Sequence, residues 1–323
     1  MTPKVSNALI LIFWLAMMSW LAATKIVPAW YRGKPPTYDP LAQEEATRSL
    51  PTCWHVLWND RWIGWAANKV EPEADGGAKI RSRIEFVDLQ VSELGSSWLK
   101  NLFAPMLEGS SRLAMRITGA RRVDDSGQLE KFVSSLYLAD QEEPLFKIYG
   151  KVTEQKLALI FRARELDHPT TLYLPRGSAV GDEMSPQGYL PGLWEGRSWT
   201  SPVYSPLRLP GNPTEVLVAT VERIETIVWE GRSVETWVVV YRRDPGAGSA
   251  SQGTPQGKMW VRRDEDPRLD GMVLRQEANV FGAKVRFERI SREAAQSLAT
   301  ALDEDWTSQP RPPRKFPLPL GEG

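Results

Sequence analysis

The chain contains few of the residue types on which reactive and metal-binding sites depend. Its 323 residues include one cysteine, Cys53, and two histidines, His55 and His168. A single cysteine excludes an internal disulfide and is more typical of a small buried residue than of a nucleophile. Neither histidine belongs to a zinc-binding spacing such as H-E-x-x-H.

Catalytic signature motifs are absent from the sequence as well. It holds no G-x-S-x-G elbow, no glycine-rich phosphate loop and no C-x-x-C pair. Acidic residues gather at positions 264–270, but Pro267 and the lack of a carboxylate at the twelfth loop position favour a turn over a calcium loop. We therefore assign no catalytic, cofactor-binding or metal-binding residue, and an enzyme ranks below the two noncatalytic functions considered below.

Neither sign of charge is in excess. Forty lysines and arginines balance forty aspartates and glutamates, which gives a formal net charge of +0. Nucleic acid binding requires a cationic excess, so we predict no nucleic acid partner. Hydrophobic residues make up 42% of the chain and charged residues 25%, as is typical of a folded domain.

One long apolar run lies near the N-terminus. Residues 8–24 carry no charge and would extend about 25 Å as a helix, just short of a hydrocarbon core of about 30 Å. The run predicts either an uncleaved membrane anchor or a signal peptide. The anchor is favoured, because no clean cleavage site with small residues follows the run. We assign residues 1–31 to this segment.

The residues that flank the apolar run bear on which side of the membrane the rest of the chain lies. Lys25, Arg32 and Lys34 follow the run, so a strict positive-inside count places the rest of the chain in the cytoplasm. A short N-terminal tail before a first apolar helix is also the arrangement of exported proteins, and Trp30 with Tyr31 suits an outer interface. We favour an extracytoplasmic, periplasmic location, with residues 32–51 as a proline-containing linker.

The central part of the chain alternates between apolar and polar residues with the period of a β-strand. Ile80, Ile84 and Phe86 share one face, whereas Arg81 and Arg83 share the other, which predicts strands with one wet face. Such strands are typical of antiparallel sheets. Two-residue turns are predicted at residues 59–60, 154–155 and 230–231, and a further turn at residues 124–127. We predict that residues 52–304 form a mainly β domain, a curved antiparallel sheet or half-barrel.

Two amphipathic helices are predicted within this domain. The first begins after Ser92 and presents Trp98, Leu102 and Phe103 on one face, which we expect to pack on the concave side of the sheet as core or to line a ligand-binding cavity. The second helix covers residues 292–303. Residues 305–323 are rich in proline and predict a disordered or polyproline-like tail.

Four segments give the chain a family resemblance. They read WNDRWIGWA (residues 58–66), LPGLWEGRSWTSPVYSPL (190–207), IVWEGRSVETWVVVYRRD (227–244) and KMWVRRDEDPRLDGMVLRQE (258–277). In this order they resemble uncharacterised bacterial envelope proteins with a membrane-proximal N-terminus and a β-rich domain. More remotely, the chain is similar to periplasmic domains of unknown function and to lipoprotein-localisation carriers. The resemblance implies a curved antiparallel sheet and supplies no catalytic residue.

Two functions from different classes remain. The first is a noncatalytic envelope module that binds a lipid or another hydrophobic ligand, with Trp98, Leu102 and Phe103 as candidate ligand-binding residues. The second is a structural or assembly protein that recruits an envelope partner through the tryptophans around Trp54 to Trp65 and its proline-rich tail. An apolar cavity would favour the first function, and a filled core with an exposed aromatic patch would favour the second.

Overall fold

The computed structural model describes most of the predicted β region and an N-terminal helix. The described residues are 3–21, 33, 36, 51–90, 93, 112–125, 129–138, 141–154, 156–163, 166–173, 181–182, 186–204, 214–243, 253–280 and 283–303. Helix α1 covers Pro3–Leu21 and helix α2 covers Arg292–Asp303. Among these residues, no helix is long and apolar enough to cross a membrane, although a transmembrane helix was predicted here.

The described strands follow one another along the chain. In order they are β1 (Thr52–Trp58), β2 (Arg61–Pro72), β3 (Ala78–Gln90), β4 (Arg112–Val123), β5 (Leu129–Leu138), β6 (Phe146–Thr153), β7 (Lys156–Ala163), β8 (Leu166–Tyr173), β9 (Gly181–Asp182), β10 (Ser198–Tyr204), β11 (Thr214–Trp229), β12 (Arg232–Arg243), β13 (Pro255–Arg262), β14 (Val273–Val280) and β15 (Ala283–Arg289).

All the described strands belong to a single sheet. Its order is β8-β7-β6-β5-β4-β3-β2-β1-β15-β14-β13-β12-β11-β10-β9. Fourteen of the strands pair antiparallel with their neighbours, and the two-residue strand β9 joins β10 in parallel. β1 and β15 lie side by side at the centre, with Val56 opposite Phe287. In the described part of the chain the sheet is open, with β8 and β9 at its edges. The protein is therefore mainly β, as predicted.

Local sequence accounts for the hairpins. Asn59 and Asp60 connect β1 to β2 with φ angles of 49° and 66°, and Glu230 and Gly231 connect β11 to β12 with 51° and 71°. Positive φ at both positions matches the right-handed twist of paired strands. These two-residue turns and the one after β6 confirm the predicted hairpins.

The side of the sheet that carries Trp54, here called the Trp54 face, is apolar over most of the strands. One buried cluster on this face draws from β1 to β7 and β15, and includes Trp54, Trp58, Ile84, Phe86 and Phe287. The register continues this face through Gln276 to Met259, so a second cluster around Met259, Val239 and Trp199 lies on the same side. Both clusters are sealed from solvent.

The opposite side, here called the His55 face, is partly covered by α2. Cys53, Trp65 and Ala67 pack there against Ala295 and Leu298 of the helix. This helix covers the predicted residues. Its alanines and leucines repeat at the helical period, which explains why the sequence predicts it.

The prediction of a uniformly wet face on β3 and β4 is wrong at two arginines. Arg83 and Arg116 lie on the His55 face and are buried, with exposed fractions of 5% and 6%. Arg83 forms a 2.6 Å ion pair with Glu85 and stacks over the Trp65 ring, and Arg116 stacks 4.3 Å from the centre of the Tyr137 ring. Ion pairing and aromatic stacking offset the desolvation of these cations, which an alternating pattern alone does not reveal.

Candidate functional site

The Trp54 face of β1 is the candidate site, because it places polar atoms in an otherwise apolar layer. Alternation along β1 puts Trp54, Val56 and Trp58 on this face, with exposed fractions of 0%, 0% and 2%. Ile63 of β2 and Phe287 of β15 pack in the same cluster. The aliphatic and aromatic surroundings offer a hydrophobic ligand the contacts of a protein core.

Two indole groups in this layer have no acceptor. The Nε1 atoms of Trp54 and Trp58 are buried, and among the described residues no hydrogen-bond partner lies within reach of either atom. A buried N–H that forms no hydrogen bond costs about 1–3 kcal/mol in desolvation. The layer therefore provides two donors that an acceptor on a bound molecule would satisfy.

A strap of irregular chain, residues 186–190, is anchored to polar side chains on the same face. Asn68 Nδ2 donates to the Pro186 carbonyl at 2.6 Å, and the Gln187 amide donates to Gln276 Oε1 at 3.1 Å. These contacts explain why Asn68 and Gln276 are buried polar residues. The strap thus links β2 to β14, across the sheet centre.

Arg289 holds the next residue of the strap. Its Nη1 atom donates to the Gly188 carbonyl at 2.9 Å and to the Val273 carbonyl at 3.4 Å. Loss of solvation lowers the pKa of this guanidinium to about 10, an effect that Cys53 and Glu230 oppose. Since the register pairs Arg289 with Trp54, the end of the apolar layer next to the strap carries a cation.

Cys53 and His55, which carry a thiol and an imidazole, lie on the His55 face. Burial raises the pKa of the Cys53 thiol to about 12, which Arg289 opposes, so the thiolate is disfavoured. Burial also lowers the pKa of His55, and Glu288 opposes that shift. The expectation that Cys53 is a small buried residue is confirmed.

The acidic segment at residues 264–270 is a turn. The Asp266 amide donates to Asp264 Oδ1 at 3.0 Å, and the Asp264 amide donates to Asp270 Oδ1 at 3.2 Å. The first of these bonds is the main cause of a lowered pKa at Asp264. Across the described ranges, no group of three or more histidine, cysteine, aspartate or glutamate side chains is placed to hold a metal ion.

The predicted ligand-binding residues Trp98, Leu102 and Phe103 lie outside the described residues, as does the first predicted amphipathic helix apart from Glu93. Trp54 and Trp58 were expected only among the tryptophans that recruit a partner as an exposed patch in the second function, whereas the structure buries both side chains. Their signal was available in the alternation of residues 52–58, where both tryptophans share a face with Val56. That no acceptor of the described chain reaches the two indole N–H groups, however, could be recognised only from three-dimensional contacts.

Comparisons with known proteins give a likeness at the level of structure alone. No protein-family model and no curated protein matches the chain. Among solved structures, the chain is similar to a beta-barrel-like protein of domain of unknown function DUF1849 from Brucella abortus, with a TM-score of 0.43 and 10% sequence identity. The likeness covers 75% of this chain and 96% of that one.

Proposed function

We propose that this chain is a membrane-attached, extracytoplasmic, noncatalytic module that binds a lipid or another hydrophobic ligand on its Trp54 face. In this proposal the open sheet curls around that face, as sheets of more than about ten strands commonly do. The observation that carries the proposal is the pair of buried indole donors, Trp54 Nε1 and Trp58 Nε1, in an apolar layer with no acceptor among the described residues.

A ligand with an apolar body and an oxygen acceptor fits this layer. The body would replace protein contacts with Val56, Ile63 and Phe287, and the oxygen would accept an indole hydrogen bond. Because the layer is sealed from water in the free chain, ligand entry requires the fold to open.

We propose attachment to a membrane because of the exposed apolar side chains of α1. Its large apolar residues are exposed on every side of the helix, among them Ile10, Phe13, Trp14 and Leu15. A helix that is apolar all round is normally buried in a core or in lipid. We therefore propose that residues 8–24 enter a lipid environment and that the β domain lies on the extracytoplasmic side. Carbonate extraction of membranes and protease protection in spheroplasts test the two statements separately.

Ligand binding is tested with the detergent-solubilised full chain. Native mass spectrometry is expected to find a copurified lipid, and the fluorescent fatty acid cis-parinaric acid is expected to bind. Trp58→Phe keeps an apolar ring but removes the N–H, so it should weaken binding roughly 2–10-fold, the equivalent of one hydrogen bond. Trp65→Phe on the opposite face is the matched control and should leave the affinity unchanged.

Two results would contradict the proposal. Absence of both copurified lipid and probe binding would exclude the ligand-binding function, and equal effects of the two tryptophan variants would exclude the Trp54 face as the site. A copurified protein in place of a lipid would support the second candidate, an envelope assembly protein. The open edge strand β8 favours that candidate, because in the described chain it pairs with β7 alone and could accept a partner strand.

A further inference from the structure

Three lysines form a patch on the His55 face near the β8 edge of the sheet. Lys131 of β5 lies directly opposite Lys151 of β6, and Lys147 of β6 lies opposite Arg162 of β7. We call Lys131, Lys147 and Lys151 the lysine patch. Side chains directly opposite each other on an antiparallel pair have Cβ atoms about 5 Å apart, so like charges there repel.

The three lysines of the patch differ from most cations of the sheet in having no ion pair with the described residues. Most other cations form ion pairs, such as Arg286 with Glu277 at 3.0 Å and Arg162 with Asp167 at 2.7 Å. For the three patch lysines, by contrast, no carboxylate of the described chain lies within ion-pair distance. The three lysines thus lack a neutralising ion pair within the described residues, although the whole chain is neutral. On the β4 side the patch ends at Arg122, which lies opposite Lys131 and pairs with Glu73, Asp75 and Glu130.

The surroundings of the patch are accessible. Lys131, Lys151 and Arg162 are exposed, and the outward residues of β7 are exposed along its first seven positions. Ile160, with 41% of its surface exposed, lies on this face between the charged positions, and Tyr149 stacks with Arg162. Cations interspersed with an exposed aliphatic and an aromatic side chain are typical of surfaces that contact lipid headgroups.

We propose that the lysine patch docks the β domain onto an anionic phospholipid surface. The proposal rests on the proposed membrane attachment of α1, which would keep the domain within reach of headgroups. Phosphate groups would neutralise the repulsion between Lys131 and Lys151, and Ile160 would contact the upper acyl region. Docking would hold one orientation of the sheet relative to the membrane.

The test measures the distance of two faces of the full chain from vesicles. An environment-sensitive dye is attached at Thr171→Cys on β8, which pairs with Ala158 on the patch side, or at Ser233→Cys on the distant β12. Cys53 does not label, since it is buried and its thiol pKa is raised. Vesicles contain phosphatidylcholine alone or about one-third phosphatidylglycerol, with a headgroup-linked quencher.

On anionic vesicles we expect quenching at position 171 but little at position 233, and we expect this contrast to disappear on neutral vesicles or in high salt. Lys131→Glu, Lys147→Glu and Lys151→Glu together should abolish the contrast. In flotation, each patch lysine is expected to contribute about fivefold to the preference for anionic vesicles, on the order of 100-fold for all three. Arg232→Glu, Arg243→Glu and Lys258→Glu together are the charge-matched control and should keep the contrast.

Equal quenching of both positions, or a contrast that survives in the triple lysine variant, would overturn the proposal. The corresponding triple glutamine variant repeats the test should the glutamate variant fail to fold. A single-stranded oligonucleotide that binds with the same lysine dependence and displaces the vesicles would show a nucleic acid surface instead. Failure of α1 attachment is recognised separately, as loss of flotation with neutral vesicles. The patch is then judged by flotation with anionic vesicles, where retained binding by the triple variant would refute it.

Discussion

Replacing Gly64 with alanine tests how closely the strands of the sheet approach each other. Gly64 of β2 lies between Val56 of β1 and Phe86 of β3. A Cβ atom built on it would fall 1.8 Å from the Glu85 carbonyl oxygen and 2.9 Å from its carbonyl carbon. Both atoms belong to the backbone of β3, so the clash cannot be relieved by a side-chain rotation.

The size of the effect follows from this geometry. Separation of the strands by more than an ångström is required, and overpacking of this kind costs about 1–3 kcal/mol. Each ladder hydrogen bond lost in the process adds about 0.5–1.5 kcal/mol. Alanine also reduces the conformational freedom of the unfolded chain, which offsets about 0.4–1 kcal/mol of this cost. Gly64→Ala is therefore expected to lower the free energy of unfolding by about 0.5–4 kcal/mol, compared with the roughly 5–15 kcal/mol of a typical domain.

Urea unfolding followed by the strand signal in circular dichroism measures this difference. Gly253→Ala is the matched control, because a Cβ there meets no atom within 4 Å. The control should unfold at the wild-type midpoint or slightly above it. Should Gly64→Ala unfold together with the control, the close approach of β2 and β3 would be refuted, and with it the role of Gly64 in sheet geometry.

Two further predictions concern a buried histidine and a helix cap. Because burial holds the pKa of His55 below its ordinary 6.5, the unfolded chain takes up a proton first as the pH falls. The free energy of unfolding should therefore decrease as the pH drops below about 6.5, and His55→Gln should flatten that dependence in urea titrations at several pH values. The Ser291 hydroxyl accepts the Ala294 amide hydrogen at 3.1 Å as the N-cap of α2, so Ser291→Ala should cost about 1 kcal/mol. Ser291→Thr should retain most of this stability in thermal unfolding. Equal melting temperatures of the alanine variant and the wild type would argue against the cap.

Some elements could be predicted because their causes are local. The Glu230-Gly231 turn depends on two adjacent residues, of which Gly231 adopts positive φ without strain, and α2 depends on alanines and leucines at the helical period. The alternation of apolar and polar residues likewise predicted β3, because Ile84 and Phe86 favour the buried face of a strand and Lys79 favours the polar face. In each case the interactions that decide the conformation lie within a few residues.

The candidate site could not be predicted in the same way. The sequence pointed to Trp98, Leu102 and Phe103 by helical spacing, which does not specify the surface that a helix meets. The donors at Trp54 and Trp58 become significant only because no acceptor among the described residues reaches them. An unsatisfied hydrogen bond is a property of the whole environment, so no local pattern predicts it.

The sequence by itself determined alternating strands such as β3, the two-residue turns and the balance of charge, because backbone conformation and side-chain alternation are set by neighbouring residues. Only the tertiary structure decided that β1 pairs with β15, more than two hundred residues away, and that Arg83 is buried on the polar side. It also placed the strap on Asn68 and left Lys131 facing Lys151. Such contacts join distant parts of the chain, and their energies depend on burial and register that exist only once the strands have assembled.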